Sequence, residues 1–314
     1  MSEIFASAPG KFVILGEHAV VYGKPAIALA INRRFYLSVR RDDEFRINGE
    51  IVNIRANPHL MHIAGMNDMI PVSIHMDSRI PTGSGLGSSA ALSVAFSAAM
   101  RALNGKSVSE EEIAKEAFEA EYFSQGGGSP MDTSASAHGR GIAVNMQERD
   151  TDKLWDISKN SHSWNISGID APPMKFVVGY TGIRAATGPL VEKVRKYKDS
   201  NRFAADIIDE IGQITKEGMT ALGSNDVTKL GELMTEDHKL LSILGVSSNE
   251  LNKLVSASLP YSYGAKLTGA GGGGSMVALT DQPDKVCDAI RSRGGMPFAV
   301  KTGADGVRVS GKNE

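Results

Sequence analysis

The sequence predicts an α+β protein of two domains, residues 1–171 and 172–314. Three observations lead there. Strand-like runs fill the start of the chain and give way to two helical patterns. A proline-bearing connector, "ISGIDAPP" from Ile166 to Pro173, then changes the composition. Beyond it the mixture of strands and helices begins again, and 314 residues suit either one large domain or two of ordinary size.

Taken in order, "KFVILG" and "PAIALAI" read as strands separated by "EHAVVYGK", and "RFYLSVRR" and "PVSIHMDS" continue the β pattern. A helix is expected from Ser88 to Leu103, ending at Asn104-Gly105, where glycine suits the left-handed C-cap. Its residues are small or apolar nearly all round, so it should be buried. A second helix opens at "SEEE", with Ser109 as N-cap, Glu112 at the capping-box position and acidic residues at the positive end of the helix dipole. It ends near Ser124, where "QGGGSP" breaks any regular pattern. After the connector, "MKFVVGYTG" reads as a strand and three helical stretches follow between Pro189 and Leu259. "YGAKLTGAGGGGSMVALT" reads as strand, glycine loop and strand, "PDKVCDAIRSRGG" as a helix, and "PFAVKTGADGVRV" as closing β-structure.

Hydrophobic residues make up 41% and charged residues 22%, with a formal net charge of −2, so no global field draws the chain to nucleic acid or an anionic membrane. The basic pairs Arg33-Arg34 and Arg40-Arg41 read as solvated strand ends. A single cysteine, Cys287, excludes an intramolecular disulfide and a thiolate-rich metal site, and its helical setting suits a small buried side chain. The first residues lack a charged region followed by an apolar one, and no apolar run approaches the ~20 residues of a membrane span. A soluble, cytoplasmic protein without nucleic-acid or membrane partners is expected.

The most informative stretch is "IPTGSGLGSSAA", Ile80 to Ala91. It is not a Walker A loop, which needs a lysine after its last glycine to reach the terminal phosphates. A G-x-G-x-x-G spacing occurs at Gly269, Gly271 and Gly274, but "SMVALT" follows it, and a dinucleotide fingerprint must open a helix. The first loop does run into a helix. Free N–H groups and the dipole attract phosphate there, glycines let the backbone approach closely, and Ser84, Ser88 and Ser89 add hydroxyls. A flexible turn capped by Ser88 is the plainer alternative, but a plain turn does not need three alternating glycines.

Other residues carry chemistry. Ile113, Ala117 and Glu121 follow i, i+4, i+8, so Glu121 either continues the inward stripe as a metal ligand or emerges into water at the helix end. Asp132 lies in "GGGSPMDT", read as a loop, where aspartate serves either as turn former or as catalyst. ATP-dependent phosphoryl transfer needs both a metal carboxylate and a group that orients or deprotonates the acceptor, and two acidic residues could divide those roles. Lys11 in "APGKF" reads alone as an exposed strand-end lysine, whereas Glu17 and His18 follow the strand where a loop could line a pocket. His59 and His62 have i, i+3 spacing without an evident third ligand and are read as surface or core histidines. No HExxH or GxSxG occurs.

Three motifs in order resemble the GHMP kinases, the small-molecule kinases named for galactose, homoserine, mevalonate and phosphomevalonate. "PTGSGLGSSAA" resembles their phosphate loop and "KLTGAGGGG" their third motif, while "SAPGKFVILGEHAVVYGKPAIA" resembles the mevalonate-phosphorylating branch. The resemblance spans essentially the whole chain, at the compact length of archaeal members. It implies an N-terminal domain like ribosomal protein S5 domain 2 and a ferredoxin-like C-terminal domain, with ATP and mevalonate as substrates between them. By position, Pro81, Gly83, Ser84, Gly85, Leu86, Gly87, Ser88, Ser89 and Ala90 would hold the nucleotide, with Gly269, Gly271 and Gly272 closing around the phosphates. Ser89 and Glu121 would hold Mg²⁺, Asp132 would be the base with Lys11 beside it, and Glu17, His18 and Thr181 would face the acceptor. Many members read HGxPSGxD around the aspartate where this chain reads "QGGGSPMD", an order that resembles the archaeal branch. The resemblance also implies a homodimer.

Rival functions are weaker. A galactose kinase should have an aspartate soon after the histidine, a homoserine kinase lacks an equivalent of Asp132, and a phosphomevalonate kinase needs further basic residues for a second phosphate. Intact Lys11, Ser89, Glu121 and Asp132 argue against a silent nucleotide-binding module, and the strand after Gly274 argues against a dinucleotide oxidoreductase.

Overall fold

A computed structural model describes residues 3–146, 152–184 and 187–312. The chain opens with two long antiparallel strands, β1 (Glu3–Leu15) and β2 (Ala26–Arg41), joined by a loop containing a 3-10 turn at Ala19–Tyr22. "PAIALAI" and "RFYLSVRR" are therefore one strand, because the polar Asn32–Arg33 stretch between them stays extended across an irregularity where the register with β1 shifts between Arg34–Pro9 and Ala30–Lys11. Short strands β3 (Arg46–Ile47) and β4 (Glu50–Ile51), helix α1 (Pro58–Met66) and β5 (Val72–Ser78) follow. Then come α2 (Ser88–Leu103), α3 (Glu110–Gln125), α4 (Met131–His138), β6 (Gly141–Val144), β7 (Asp152–Lys159) and β8 (His162–Gly168).

Beyond the connector lie β9 (Lys175–Tyr180), α5 (Thr187–Ser200), α6 (Arg202–Gly223), α7 (Val227–Ile243) and α8 (Asn249–Ser258). The chain ends with β10 (Gly264–Thr268), β11 (Ser275–Leu279), α9 (Pro283–Ser292), β12 (Met296–Lys301) and β13 (Arg308–Lys312). Four helices stand where three stretches are expected from sequence. The extra boundary is Asn201, whose side chain accepts from Phe203 N at 3.0 Å and starts α6 anew.

One sheet runs β4-β3-β5-β2-β6-β8-β7, with β1 on the other edge of β2 and β13 beyond β1. β5 and β6 share one edge of β2, β6 along Ala26–Leu29 and β5 along Phe35–Arg41. The second sheet is antiparallel, in the order β10-β11-β9-β12. The last strand of the chain thus returns to the first sheet.

α2 is buried along nearly its whole length, as its composition requires, and packs on β1 and β2. Ser109 caps α3 by accepting from Glu112 N. Asp132 is not in a loop: it sits in the first turn of α4, which Pro130 introduces. A proline with φ −76 is already close to helical geometry, and only Ser129 and Pro130 separate the glycine run from the start of the helix. Cys287 is buried, and burial pushes its thiol up.

The larger core centres on Phe12, Phe96 and Phe118 and continues into Phe176 and Val277 of the second sheet, where the Phe12 and Phe176 rings stand 4.8 Å apart. A second core joins Ile208, Ile211, Leu241, Leu251, Met276 and Ile290 beneath the second sheet. No helix among the described residues is long and apolar enough to cross a membrane.

Where β13 leaves off, part of the free edge of β1 is closed by a side chain. The Thr268 hydroxyl accepts from Val13 N and donates to Val13 O, both at 3.0 Å. Thr268→Val should leave both backbone groups buried without this partner and lower stability by about 1–3 kcal/mol. Denaturant unfolding of the two proteins measures the difference.

Candidate active site

A cleft of about 630 Å³ opens between the two sheets, lined by the β5–α2 loop, the end of β1 and the loop after it, α3, α4 and the β10–β11 loop. Its floor is the first glycine loop. Gly83, Gly85 and Gly87 all have left-handed φ, at 74°, 78° and 72°. Gly87 is the N-cap of α2 and offers no side chain to the helix's first N–H groups, which leaves them for a ligand. The loop is tied to β1 by Lys11 N donating to Leu86 O at 3.0 Å. Ser84 is turned inward and donates to Pro81 O at 2.7 Å, so its hydroxyl braces the loop.

Lys11 is buried, not exposed. Its side chain passes beneath the loop, where a Cβ on Gly87 would stand 3.0 Å from Lys11 Cε. Its ammonium lies 2.8 Å from Asp132 Oδ2; the lysine side chain is 3% exposed and the aspartate 44%. The carboxylate is thus open to the cleft on one side and fixed by a cation on the other.

A second carboxylate sits nearer the start of α2. Glu121 Oε1 accepts from Ser89 Oγ at 2.6 Å and Ser93 Oγ at 2.9 Å. His59, from α1, completes the group, with Nδ1 3.1 Å from Glu121 Oε1 and Nε2 3.3 Å from Ser89 Oγ. Burial pushes the Glu121 carboxyl up, but the contacts with His59, Ser89 and Ser93 outweigh it and hold the pKa below the ordinary value. Glu121 therefore faces inward, the first of the two readings its spacing allowed. A carboxylate and a hydroxyl this close form a partial set of hard oxygen donors, and Mg²⁺ commonly takes one or two protein ligands and completes its shell with phosphates and water. The residues fit such a cation.

The second glycine loop covers the cleft. Gly269, Gly271, Gly272, Gly273 and Gly274 all have φ between 69° and 148°. Gly269 and Ala270 line the cleft, while Gly271 and Gly272 pack against Val246 and Leu190. The two loops touch, since a Cβ on Gly85 would lie 3.5 Å from Thr268 O. Thr181 braces this loop, donating from both N and Oγ1 to Gly274 O at 2.9 and 2.8 Å, so its hydroxyl is already engaged away from an acceptor.

His18 and Glu17 meet this loop from the other side. His18 Nε2 donates to Ala270 O at 2.9 Å, and burial pushes its pKa down, so the ring is neutral with Nε2 protonated. Glu17 is enclosed and hydrogen-bonded to Lys266 from β10, which also lies 3.2 Å from Asp237 Oδ2 on α7. Two carboxyls share one ammonium in a buried setting. Burial raises both, Glu17 to about 8 against the pull of Lys266, so a proton is retained there near neutrality.

Sequence reasoning brought Lys11, Asp132, Ser89, Glu121, Glu17, His18 and the first glycine loop to this cleft. It missed His59, Lys266, Asp237 and Arg184, whose guanidinium Nε would lie 3.2 Å from a Cβ on Gly83. The i, i+3 pair at His59 and His62 was the one signal for His59. His62 stacks on Phe123 and takes no part.

Comparison with known proteins gives a consistent result. The pattern described as the GHMP kinases N terminal domain matches residues 26–140, and that described as GHMP kinases C terminal matches residues 219–295. The mevalonate kinase of Thermococcus sibiricus is 33% identical over 98% of this chain and 98% of its own. That of Pyrococcus horikoshii is 33% identical over 98% and 97%. Among solved structures, Methanococcus jannaschii mevalonate kinase superposes with a TM-score of 0.77 at 26% identity over 95% of this chain and 98% of its own. L. major mevalonate kinase in complex with R-mevalonate gives a TM-score of 0.82 at 24% identity over 96% of each chain, a likeness of fold.

The buried carboxyls make stability depend on pH. Glu17 keeps its proton in the folded state up to about 8 and loses it near 4.5 in the unfolded chain, so its contribution is whole below 4.5 and is lost as pH rises to about 8. Asp237, also raised, acts in the same direction. His18 and His238 oppose this below 6.5, because the unfolded chain takes up protons that the folded one refuses, His238 down to about 4. Between pH 6.5 and 8, stability should therefore fall as pH rises, and Glu17→Gln should flatten that fall. Thermal unfolding across this interval checks it.

Proposed function

The chain belongs to the GHMP kinases, and from that premise we propose that it phosphorylates mevalonate, moving the γ-phosphate of ATP to the primary hydroxyl to give 5-phosphomevalonate for isoprenoid synthesis. Curated relatives bearing that activity in their names match over nearly the full chain. The observation that carries the chemistry is the Lys11–Asp132 pair, a half-exposed carboxylate fixed by a buried ammonium at the edge of the phosphate loop.

In this reading the triphosphate lies on the first glycine loop. Backbone N–H groups at the left-handed glycines and the open N-terminus of α2 hold its oxygens, so no Walker lysine is required. Glu121 and Ser89 would hold Mg²⁺, which when bound neutralises charge on the phosphates. Asp132 accepts the acceptor's hydroxyl proton as that oxygen bonds to the γ-phosphorus, and the bond from phosphorus to the β–γ bridging oxygen breaks to release ADP. Lys11 holds Asp132 in place and lies close enough to steady the reacting oxygens. His18 meets the acceptor from the opposite wall, with its ring orientation set by Ala270 O. Arg184, over Gly83, supplies positive charge beside the phosphates.

The direct test is ADP release with mevalonate, phosphomevalonate, galactose and homoserine as acceptors. Turnover should be confined to mevalonate, and preference for another acceptor overturns the reading.

The two carboxylates should fail differently. Asp132→Asn should cut kcat at least ~10²-fold with MgATP binding retained, since a base acts in the transition state. Glu121→Gln removes a hard anionic ligand, so its defect should appear in the Mg²⁺ dependence and be partly relieved by excess metal. A magnesium titration of both variants separates the roles; rescue of Asp132→Asn alone means that they are reversed.

A further inference from the structure

Lys266 belongs to none of the roles above, yet its side chain is fully buried. Its side chain and that of Asp237 are 0% exposed, and that of Glu17 is 2%. Replacing a buried ion cluster by packed apolar residues is often neutral or stabilising, so stability does not explain a lysine between two carboxyls here. Position does. Glu17 precedes His18, whose φ of 61° and ψ of −42° lie off even the left-handed helical region. A non-glycine residue held there costs of order 1–3 kcal/mol and persists only where its surroundings over-determine it.

The surroundings do so from both lobes. Ala19 N donates to Glu17 O at 2.7 Å, closing the turn locally. The Glu17 carboxyl is anchored by Lys266, and the His18 ring by Ala270 O of the second glycine loop. Lys266 is itself fixed: its ammonium donates to Leu267 O at 2.9 Å and meets Asp237, while His238 Nδ1 accepts from Leu267 N at 3.2 Å. Helix α7 therefore sets both the lysine and its strand, and through Glu17 the strand sets the loop of the other lobe.

We propose that Lys266 is a positioning residue for the acceptor side of the cleft: paired with Asp237, it holds Glu17 so that His18 keeps its strained backbone and its ring against the glycine loop. Glu17 then works as a tether and not as a ligand for the acceptor. The assignment rests on the reading that His18 faces the acceptor. It goes beyond that reading by naming the residues of the C-terminal lobe that place it.

The test uses the full chain with the charge-balanced double variant Lys266→Met/Asp237→Asn, which removes one charge of each sign. KM for mevalonate should rise at least ~10-fold, because misplacement of a positioning group by a fraction of an ångström is felt strongly. KM for ATP should stay within ~3-fold, since the phosphate loop keeps its own anchors. Adding His18→Ala should bring little further loss, because both changes remove the same contact. If the double variant does not fold, Glu17→Ala leaves Lys266 and Asp237 as a balanced pair and should give the same split between the two KM values. An unchanged mevalonate KM, or an equal rise in both constants, overturns the proposal. Running the wild type with phosphomevalonate, galactose and homoserine keeps the two ideas apart. Turnover of another acceptor defeats the functional reading, while the KM split measured with that acceptor still judges Lys266.

Discussion

Everything in the cleft depends on a stretch of backbone that must stay left-handed at alternate residues. Gly83, Gly85 and Gly87 hold left-handed φ because each lacks the Cβ that would make that conformation strained. The same absence does a second thing at Gly87. It opens the passage through which Lys11 reaches Asp132. The phosphate site proposed for this loop and the setting of the proposed base therefore rest on one constraint, and a side chain at that position would disturb both. Lys11 N on Leu86 O locks the arrangement to the longest strand pair in the protein.

The two carboxylates of the site differ in kind because of what surrounds them. Asp132 stands in the first turn of a short helix, partly in solvent, with one buried cation behind it. Glu121 is enclosed by hydroxyls and an imidazole that stabilise its ionised form against burial. The first lies open to a ligand in the cleft, and the second is suited to remain an anion beside a cation. Glu17 is the third and opposite case, a carboxyl kept proton-bearing near neutrality by deeper burial despite a lysine at its side. One chemical group thus serves three purposes, decided by depth and neighbours.

Much of the fold was legible in the sequence. The bounds of α2, the Ser109 cap of α3 and the strand–glycine loop–strand at β10 and β11 follow from local rules on caps, glycine and periodicity, and the structure agrees with each. The local rules failed where a polar residue had a tertiary reason to be there. Asn32–Arg33 reads as a break but lies within β2, beside Arg34, which donates to Ser7 O at 2.9 Å and Gly306 O at 2.7 Å. Asp132 reads as a loop residue because a glycine run precedes it, and only the register of α4 against α2 and α3 shows that the helix has begun.

The sequence by itself determined the form of the first glycine loop, since alternating glycines before a helix N-terminus carry their conformation locally, and it supplied the inward-facing Glu121 through helical spacing. Only the tertiary structure decided which of the scattered charges meet. Lys266 and Glu17 are 249 residues apart in the chain, and His59 and Glu121 come from different helices. Periodicity records whether a side chain faces inward. It holds no information on which inward-facing partner waits across the core, because that is set by the crossing of β1 against β10 and of α1 against α3. Lys11 shows the difference most plainly. Alone it reads as an exposed strand-end lysine, and what buries it is a loop that arrives from the far side of the sheet.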